Sequence, residues 1–221
     1  MAAMAAMAES RAGAHSPSER EWTLEGVDGL TRCWWVGSDP LYLAYHDQEW
    51  GRPQRDGRAL FEKVCLESFQ SGLAWITILR KRENFRTAFA GFRPELMAEF
   101  DEGDVDRLLA DSGIVRNRAK IEAVVANARC LLSEFGSTAA FSRYVWGFAP
   151  SDDAPREDPR ADWNHPVPGQ IPESIALAKD LRRRGWRFFG PTTAYAFMQS
   201  VGMVDDHVAG CWCAADRRLD S

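Results

Sequence analysis

The chain has 221 residues, 45% of them hydrophobic, with five cysteines and a formal net charge of -5. A chain of this size buries a sizeable core as one domain or two small lobes without disulfide staples, so the irregularly spaced Cys33, Cys65, Cys130, Cys211 and Cys213 read as cytoplasmic thiols or metal ligands. No apolar run approaches the length of a membrane span, and the first residues lack a basic segment, so neither a membrane protein nor a secreted one is expected.

The acid is unevenly placed. Residues 1–30 carry five acids against two arginines, and residues 151–162 do the same. The remainder is close to neutral and holds local basic sets at Arg80-Lys81-Arg82, at Arg116, Arg118 and Lys120, and at Arg182-Arg183-Arg184 with Arg187. Sets this small contact a few phosphates, giving weak, salt-sensitive background binding, and any one alone reads more simply as a solvated helix face.

In chain order, residues 1–30 are expected to form a disordered leader, Ala/Met-rich at first and without a periodic apolar face, from which Trp22, Leu24, Val27 and Leu30 make minor contacts. Residues 31–215 are expected to form a single domain of two helical lobes, and residues 216–221 a tail. The stretch from Arg32 to Gly51 holds one Cys, one His, two Tyr and three Trp, residue types that suit both a planar ligand and a metal. Leu60, Phe61, Val64, Cys65 and Phe69 recur at helical spacing and predict a helix from Gly57 to Gln70, which Gly72 ends. A second helix is predicted over Ala74–Asn84, a first turn at Pro94, and a short helix over Asp104–Ala110. The clearest helix spans Asn117–Phe135, where Ile121, Val124, Val125, Ala128, Leu131, Leu132 and Phe135 line one face and Gly136 closes it. Further helices are predicted over Phe141–Trp146, Pro172–Arg184 and Thr192–Val201, with Ser151–Gln170 a proline-rich surface loop. Strands are scarcely signalled, and the expected class is all-α.

Cys33 and His46 supply half of a tetrahedral zinc site, and His207 and Cys211, four residues apart, offer another pair. Either histidine alone would read as a satisfied core residue. The nucleobase deaminases also combine zinc, Glu and base binding, but their H-x-E and P-C-x-x-C signatures are absent.

Four separated stretches in order, Cys33…Tyr45-His46-Asp47…Glu49-Trp50-Gly51, Cys65 through Trp75, Tyr195 through Gln199 and His207…Cys211, resemble the 3-methyladenine DNA glycosylase I family. This is a branch of the helix-hairpin-helix glycosylases, and the likeness runs from about Arg32 to Cys213. The resemblance implies a helical glycosylase fold with one structural zinc per chain on Cys33, His46, His207 and Cys211. A full set of four protein ligands leaves no open position for water, so this zinc would be structural. Cys213 is a competing donor, and Asp47, Asp205 or Asp206 are candidate partners for the second imidazole nitrogens.

The resemblance further implies that Glu67 and Tyr45 hydrogen-bond an extruded base, that Trp75 stacks on it, and that Trp35 and Tyr42 complete the pocket. Methylation at N3 makes the base cationic, which favours an indole face and a carboxylate. Read without the family, Glu67 at a helix end would be a solvated carboxylate, although Cys65, Leu66 and Phe69 around it argue for burial. The aromatic residues would divide evenly between core and pocket. No lysine stands in the candidate pocket motifs, so no Schiff-base step is expected.

Asp111–Lys120 looks like a degenerate helix-hairpin-helix, in which Gly113 and Arg116 would meet phosphate, and Leu73 is a candidate wedge for the gap left by a flipped nucleotide. The departures from the family pattern are Ser68 in place of an expected Gly, Pro191, and the leader. Two functions are consistent with these residues. One is a monomeric hydrolase that excises 3-methyladenine from alkylated double-stranded DNA and releases the free base. The other is a non-catalytic, zinc-stabilised module that binds DNA lesions.

Overall fold

The computed structural model describes residues 22–151, 169–208 and 210–216. The structure is mostly helical: among the described residues there are eleven α-helices, two short 3₁₀ turns and a single two-stranded sheet. The expected helical class therefore holds, with one correction at its N-terminal edge. Residues 22–30 were expected to belong to the disordered leader, but Thr23–Glu25 (β1) pairs antiparallel with Thr31–Cys33 (β2), Leu24 opposite Arg32. The hairpin is closed by the Gly26 N–H donating to Leu30 C=O at 2.9 Å, with Gly29 in the left-handed region at φ 75°. Three-residue strands give no periodicity for a sequence pattern to detect. The leader's residues 1–21 and the tail's 217–221 lie outside the described residues, as does most of the proline-rich loop.

Helix α1, Pro40–Gln48, follows β2 and a 3₁₀ turn over Trp34–Val36. Its start is set by chemistry visible in the sequence. Asp39 accepts from the Leu41 N–H at 2.9 Å and the Tyr42 N–H at 3.3 Å, and Pro40 takes the first helical position, where its missing N–H costs nothing. Helix α2, Gly57–Gln70, matches the predicted span. The expected helix over Ala74–Asn84 is instead two, α3 (Trp75–Arg80) and α4 (Arg82–Ala88), broken at Lys81 (φ -99°, ψ 1°). The break lets Lys81 Nζ reach the Ser112 carbonyl at 2.9 Å while Arg82 turns to Glu62 and Glu49, tertiary contacts that override local propensity.

Then come α5 (Pro94–Met97), α6 (Glu102–Ala110), α7 (Arg118–Phe135), α8 (Thr138–Trp146), α9 (Pro172–Arg183), α10 (Pro191–Ser200) and α11 (Trp212–Asp216). Helix α7 carries the caps its sequence advertises. Asn117 accepts from the Lys120 N–H, and Gly136 ends the helix at φ 70°.

Helix α2 is the centre of the molecule. Twelve of its 14 residues are buried, and α3, α7, α8 and α10 pack around it. A helix enclosed on this many sides has no polar face to give to water, so each of its polar side chains needs a partner inside the protein.

Candidate active site

Most of the polar residues on α2 do find partners. Glu62 accepts from Arg82 Nε at 2.6 Å and Arg86 Nε at 3.0 Å, and Lys63 donates to Glu49 at 2.7 Å. Ser68 Oγ donates to the Val64 carbonyl at 2.8 Å, so this hydroxyl bonds to its own helix. Gln70 Nε2 donates to the Leu73 carbonyl at 2.6 Å. Glu67 is different. It is 4% exposed, and among the described residues nothing hydrogen-bonds its carboxylate. Burial pushes its carboxyl up to about 7, with the ammonium of Lys63 pulling the other way.

Aromatic rings form a wall beside this carboxylate. Tyr42 and Tyr45, three residues apart on α1, share one face, and the raised pKa of each, caused first by burial, is increased by the charge of Glu67. Trp75, the first residue of α3, lies with its ring 5.5 Å from that of Tyr45. Trp35, in the 3₁₀ turn, meets Tyr42 edge-on at 5.1 Å. The five side chains expected to form the base pocket are thus all buried and adjoin one another. The indole N–H groups of Trp35 and Trp75 have no acceptor among the described residues.

Sequence reasoning missed Lys63. No lysine was expected at the pocket, yet Lys63 Nζ is 3.4 Å from the Tyr45 hydroxyl and lies over the Tyr45 and Trp75 rings at 4.8 and 5.1 Å. The signal was its spacing, one helical turn before Glu67 on the same helix. Lys63 also lines an open groove of about 660 Å³ with Tyr45, Glu49 and Arg82, a space that includes neither Glu67 nor Trp75.

On the other side of α1 lies a cluster of metal-ligating groups. His46, His207, Cys211 and Cys213 place one ligand atom each within 4.8 Å of one another, all buried. Cys33 joins them, hydrogen-bonded to Cys211 and accepting the Val208 N–H at 3.5 Å. Both imidazoles are oriented by carboxylates, as Asp47 Oδ1 lies 2.8 Å from His46 Nδ1 and Asp205 Oδ1 lies 2.8 Å from His207 Nδ1. Asp206, the third carboxylate considered, accepts instead from Tyr195 and Gln199, each at 2.6 Å. Arg32 holds Asp47 in turn through Nε and Nη2, at 2.9 and 2.8 Å.

These contacts bear on which thiol is spare. Cys211 Sγ approaches His46 Nε2 at 3.6 Å, whereas Cys213 Sγ lies 3.9 Å from Nδ1, the nitrogen committed to Asp47. The cluster and the aromatic wall are continuous. Trp35 contacts the His46 ring at 5.3 Å and Trp50 at 5.0 Å, and Trp50 meets His207 at 4.6 Å.

Away from the pocket, Leu73 projects from the turn at Gly72 (φ 82°) and is 36% exposed. The Gly113 N–H donates to Asp111 Oδ1 at 2.7 Å in the bend between α6 and α7, and Arg116 is exposed on that bend. Lys120 Nζ fastens the start of α7 to the end of α2 through the carbonyls of Phe69 and Ser71, at 2.9 and 2.5 Å.

A helical protein that buries an unpartnered carboxylate inside an aromatic cage is equipped to hold a flat, electron-poor ring, and the relatives of this chain share that ligand class. A model of the methyladenine glycosylase family matches residues 35–214. The DNA-3-methyladenine glycosylase 1 of Escherichia coli K12 is 46% identical over 184 residues, covering 83% of this chain and 97% of the relative. A crystal structure of 3-methyladenine DNA glycosylase I superposes with a TM-score of 0.76 at 48% identity, covering 82% of this chain and 98% of the other. The Staphylococcus aureus 3-methyladenine DNA glycosylase I, solved to show how it recognises 3-methyladenine, superposes at 0.71 with 35% identity, covering 79% and 92%. The chain belongs to the methyladenine glycosylase family.

The buried carboxylate carries a stability cost with a defined pH window. Because the folded carboxyl titrates near 7 against an ordinary 4.5, the folded chain holds a proton that the unfolded chain releases between those values, and stability falls as pH rises through the window. Glu67→Gln is therefore expected to be more stable than wild type at pH 8, by on the order of 2 kcal/mol, and equal to it near pH 4. Chemical denaturation of both proteins at the two pH values checks this, and a difference independent of pH contradicts it.

Proposed function

We propose that this protein is a monofunctional DNA repair glycosylase that hydrolyses the N-glycosidic bond of 3-methyladenine in alkylated duplex DNA and releases the free base. The observation that carries the reading is Glu67, a buried carboxylate with no hydrogen-bond partner among the described residues, next to the rings of Tyr42 and Tyr45. A base inside a duplex has to leave the stack before its glycosidic bond can be reached, and the extruded base is then held by edge hydrogen bonds and ring faces. Glu67 and Tyr45 supply the edge partners here, Trp75 the stacking face, and Trp35 and Tyr42 the remaining walls.

N3-methylation places a positive charge on the base, which already weakens the glycosidic bond. What the protein adds is a carboxylate that pairs with the charge, indole and phenol faces that attract it, and exposure of the sugar carbon to water. Glu67 stabilises the positive charge shared by base and sugar as the bond lengthens. No covalent intermediate is needed. Lys63 Nζ is engaged by Glu49 at 2.7 Å, and the step is read as hydrolytic, without a Schiff base.

The site fits a bound zinc ion. Two imidazoles are oriented through Nδ1 by carboxylates, and the Cys211 thiol lies on the Nε2 side of His46. We assign the ligands as Cys33, His46, His207 and Cys211, a closed tetrahedral set that leaves Cys213 outside. The ion would supply no chemistry to the reaction. It would tie the start of the domain to its end and hold α1, and with it Tyr42 and Tyr45, against Trp35.

The bend over Asp111–Lys120 is read as a degenerate helix-hairpin-helix, with Gly113 and the exposed Arg116 directed to phosphate and Leu73 as the wedge. A monomer of one domain over residues 31–215, acting in the cytoplasm, is consistent with this reading. No helix among the described residues is long and apolar enough to cross a membrane. The competing reading, a lesion-binding module, shares every feature except turnover.

Chromatography of free bases released from methylated duplex DNA separates the two. Wild type is expected to release 3-methyladenine and Glu67→Gln to lose at least about a hundredfold in rate while staying folded. Release of no base by folded wild type would leave the binding module. For the metal, elemental analysis is expected to find about one zinc per chain in wild type and in Cys213→Ser, and a depleted, less stable protein in Cys33→Ser and His207→Ala. Full zinc content in Cys33→Ser with loss in Cys213→Ser would transfer the ligand role to Cys213.

A further inference from the structure

Lys63 is among the least expected side chains in this core. It is 3% exposed, and full burial of an ammonium is costly enough that it occurs where a specific arrangement holds it. Three of its neighbours belong to the base pocket: it donates toward the Tyr45 hydroxyl, lies over the Tyr45 and Trp75 rings, and precedes Glu67 by four residues on α2. Its remaining partner, Glu49, comes from the segment after α1 and also accepts from Arg82 on α4 at 2.6 Å.

We propose that Lys63 is a positioning residue of the base pocket, its ammonium bracing the Tyr45 and Trp75 rings and supplying the counter-charge for Glu67 one helical turn away. The proposal rests on the base-pocket reading given above.

The geometry gives the lysine two tasks that no other residue at the site shares. The first is mechanical. Tyr45 on α1, Trp75 on α3 and Glu67 on α2 come from three separate helices, and Lys63 meets the two rings while sharing a helix with the carboxylate. A cation over both ring faces, anchored by Glu49, fixes the spacing between the wall and the carboxylate.

The second task is electrostatic. The charged and titratable groups facing Glu67 and Lys63 are Tyr42 and Tyr45 from α1, Glu49 from the following segment, and Arg82 from α4. Neither tyrosine offers positive charge. Arg82 is committed to Glu49 and Glu62, which leaves Lys63 as the cationic side chain acting on Glu67 among the described residues. Burial alone would raise the Glu49 carboxyl, but Lys63 and Arg82 bring it down to about 2; burial in turn lowers the Lys63 ammonium from its ordinary value, and the Glu49 anion opposes that shift. Glu49 thus favours the charged form of Lys63, and Lys63 favours the ionised Glu67 on which recognition of a cationic base depends.

The test reads the two charges directly and needs no turnover. In full-length protein with ¹³C-labelled glutamate, the Glu67 carboxyl is titrated by NMR in wild type, Lys63→Met and Lys63→Arg. The proposal predicts a Glu67 midpoint about one pH unit or more higher in Lys63→Met, restored toward wild type in Lys63→Arg. Coupling between two sites is reciprocal, so Glu67→Gln, which keeps the lysine and its partner Glu49, is expected to lower the midpoint of the Lys63 ammonium by a similar amount. That second titration decides the matter if Lys63→Met does not fold. An unchanged Glu67 midpoint in folded Lys63→Met, or an unchanged Lys63 midpoint in Glu67→Gln, overturns the proposal. Failure of the glycosylase reading would appear separately, as wild type that shows the coupling and releases no base.

Discussion

A carboxylate in the middle of a buried helix has few ways to persist. Out of water, its charged form is disfavoured by several kcal/mol unless something answers the charge, and a protein under selection for stability alone would replace it with an apolar residue. On α2 the neighbouring Glu62 shows the usual solution, a close arginine pair. Glu67 lacks that solution and is left with aromatic faces, a titration point near neutrality and one lysine a turn away. The stability given up at this position is the physical cost of a site ready to receive a positively charged ring. Much of the surrounding architecture serves to keep that site in shape.

That shape is imposed from both ends of the chain. Helix α1 presents Tyr42 and Tyr45 toward Glu67 and His46 toward the donor cluster, so one short element belongs to both sites. Nine helical residues capped by Asp39 are marginal on their own, and what fixes α1 is tertiary contact. Arg32 and the Trp212 indole both bond to Asp47, Trp35 and Trp50 pack against His46, and His207 packs against Trp50. Hairpin β1–β2 and the terminal residues His207 and Trp212 therefore act on the aromatic wall through α1. A zinc ion at the cluster, as proposed, would turn this convergence of distant segments into a single rigid joint.

Much of this was legible in the residues, for reasons that differ by element. Helices α2 and α7 were readable because their apolar residues recur at helical spacing and end at Gly72 and Gly136. The ligating residues, Glu67 and the aromatic wall were legible as residue types, but their grouping came from resemblance to a family, since spacing alone left each tyrosine and tryptophan undecided between core and pocket. What escaped has a physical explanation in each case. Helix α1 announces itself only by Asp39-Pro40, because its buried face is Tyr42, Tyr45 and His46 while the apolar Leu41 and Ala44 are exposed, so the sequence shows no apolar stripe. The split at Lys81 is made by partners 20 and more residues away, which no local pattern contains. Hairpin β1–β2 is too short to show alternation. Lys63 was overlooked because a lysine on a helix is usually solvated, and only the packing of α1 and α3 shows that this one is enclosed.

The central claim, that the charge of Glu67 is what distinguishes the methylated base, is tested most directly by calorimetric binding of two small ligands at pH 8. One is 3,9-dimethyladenine, which is permanently cationic because N3 and N9 both carry methyl groups, and the other is neutral 9-methyladenine. Wild type is expected to prefer the cation by at least about tenfold, and Glu67→Gln to lose most of that preference, keeping only the share that its aromatic wall supplies. Equal affinity of wild type for the two ligands, or a preference undiminished in Glu67→Gln, would contradict the account.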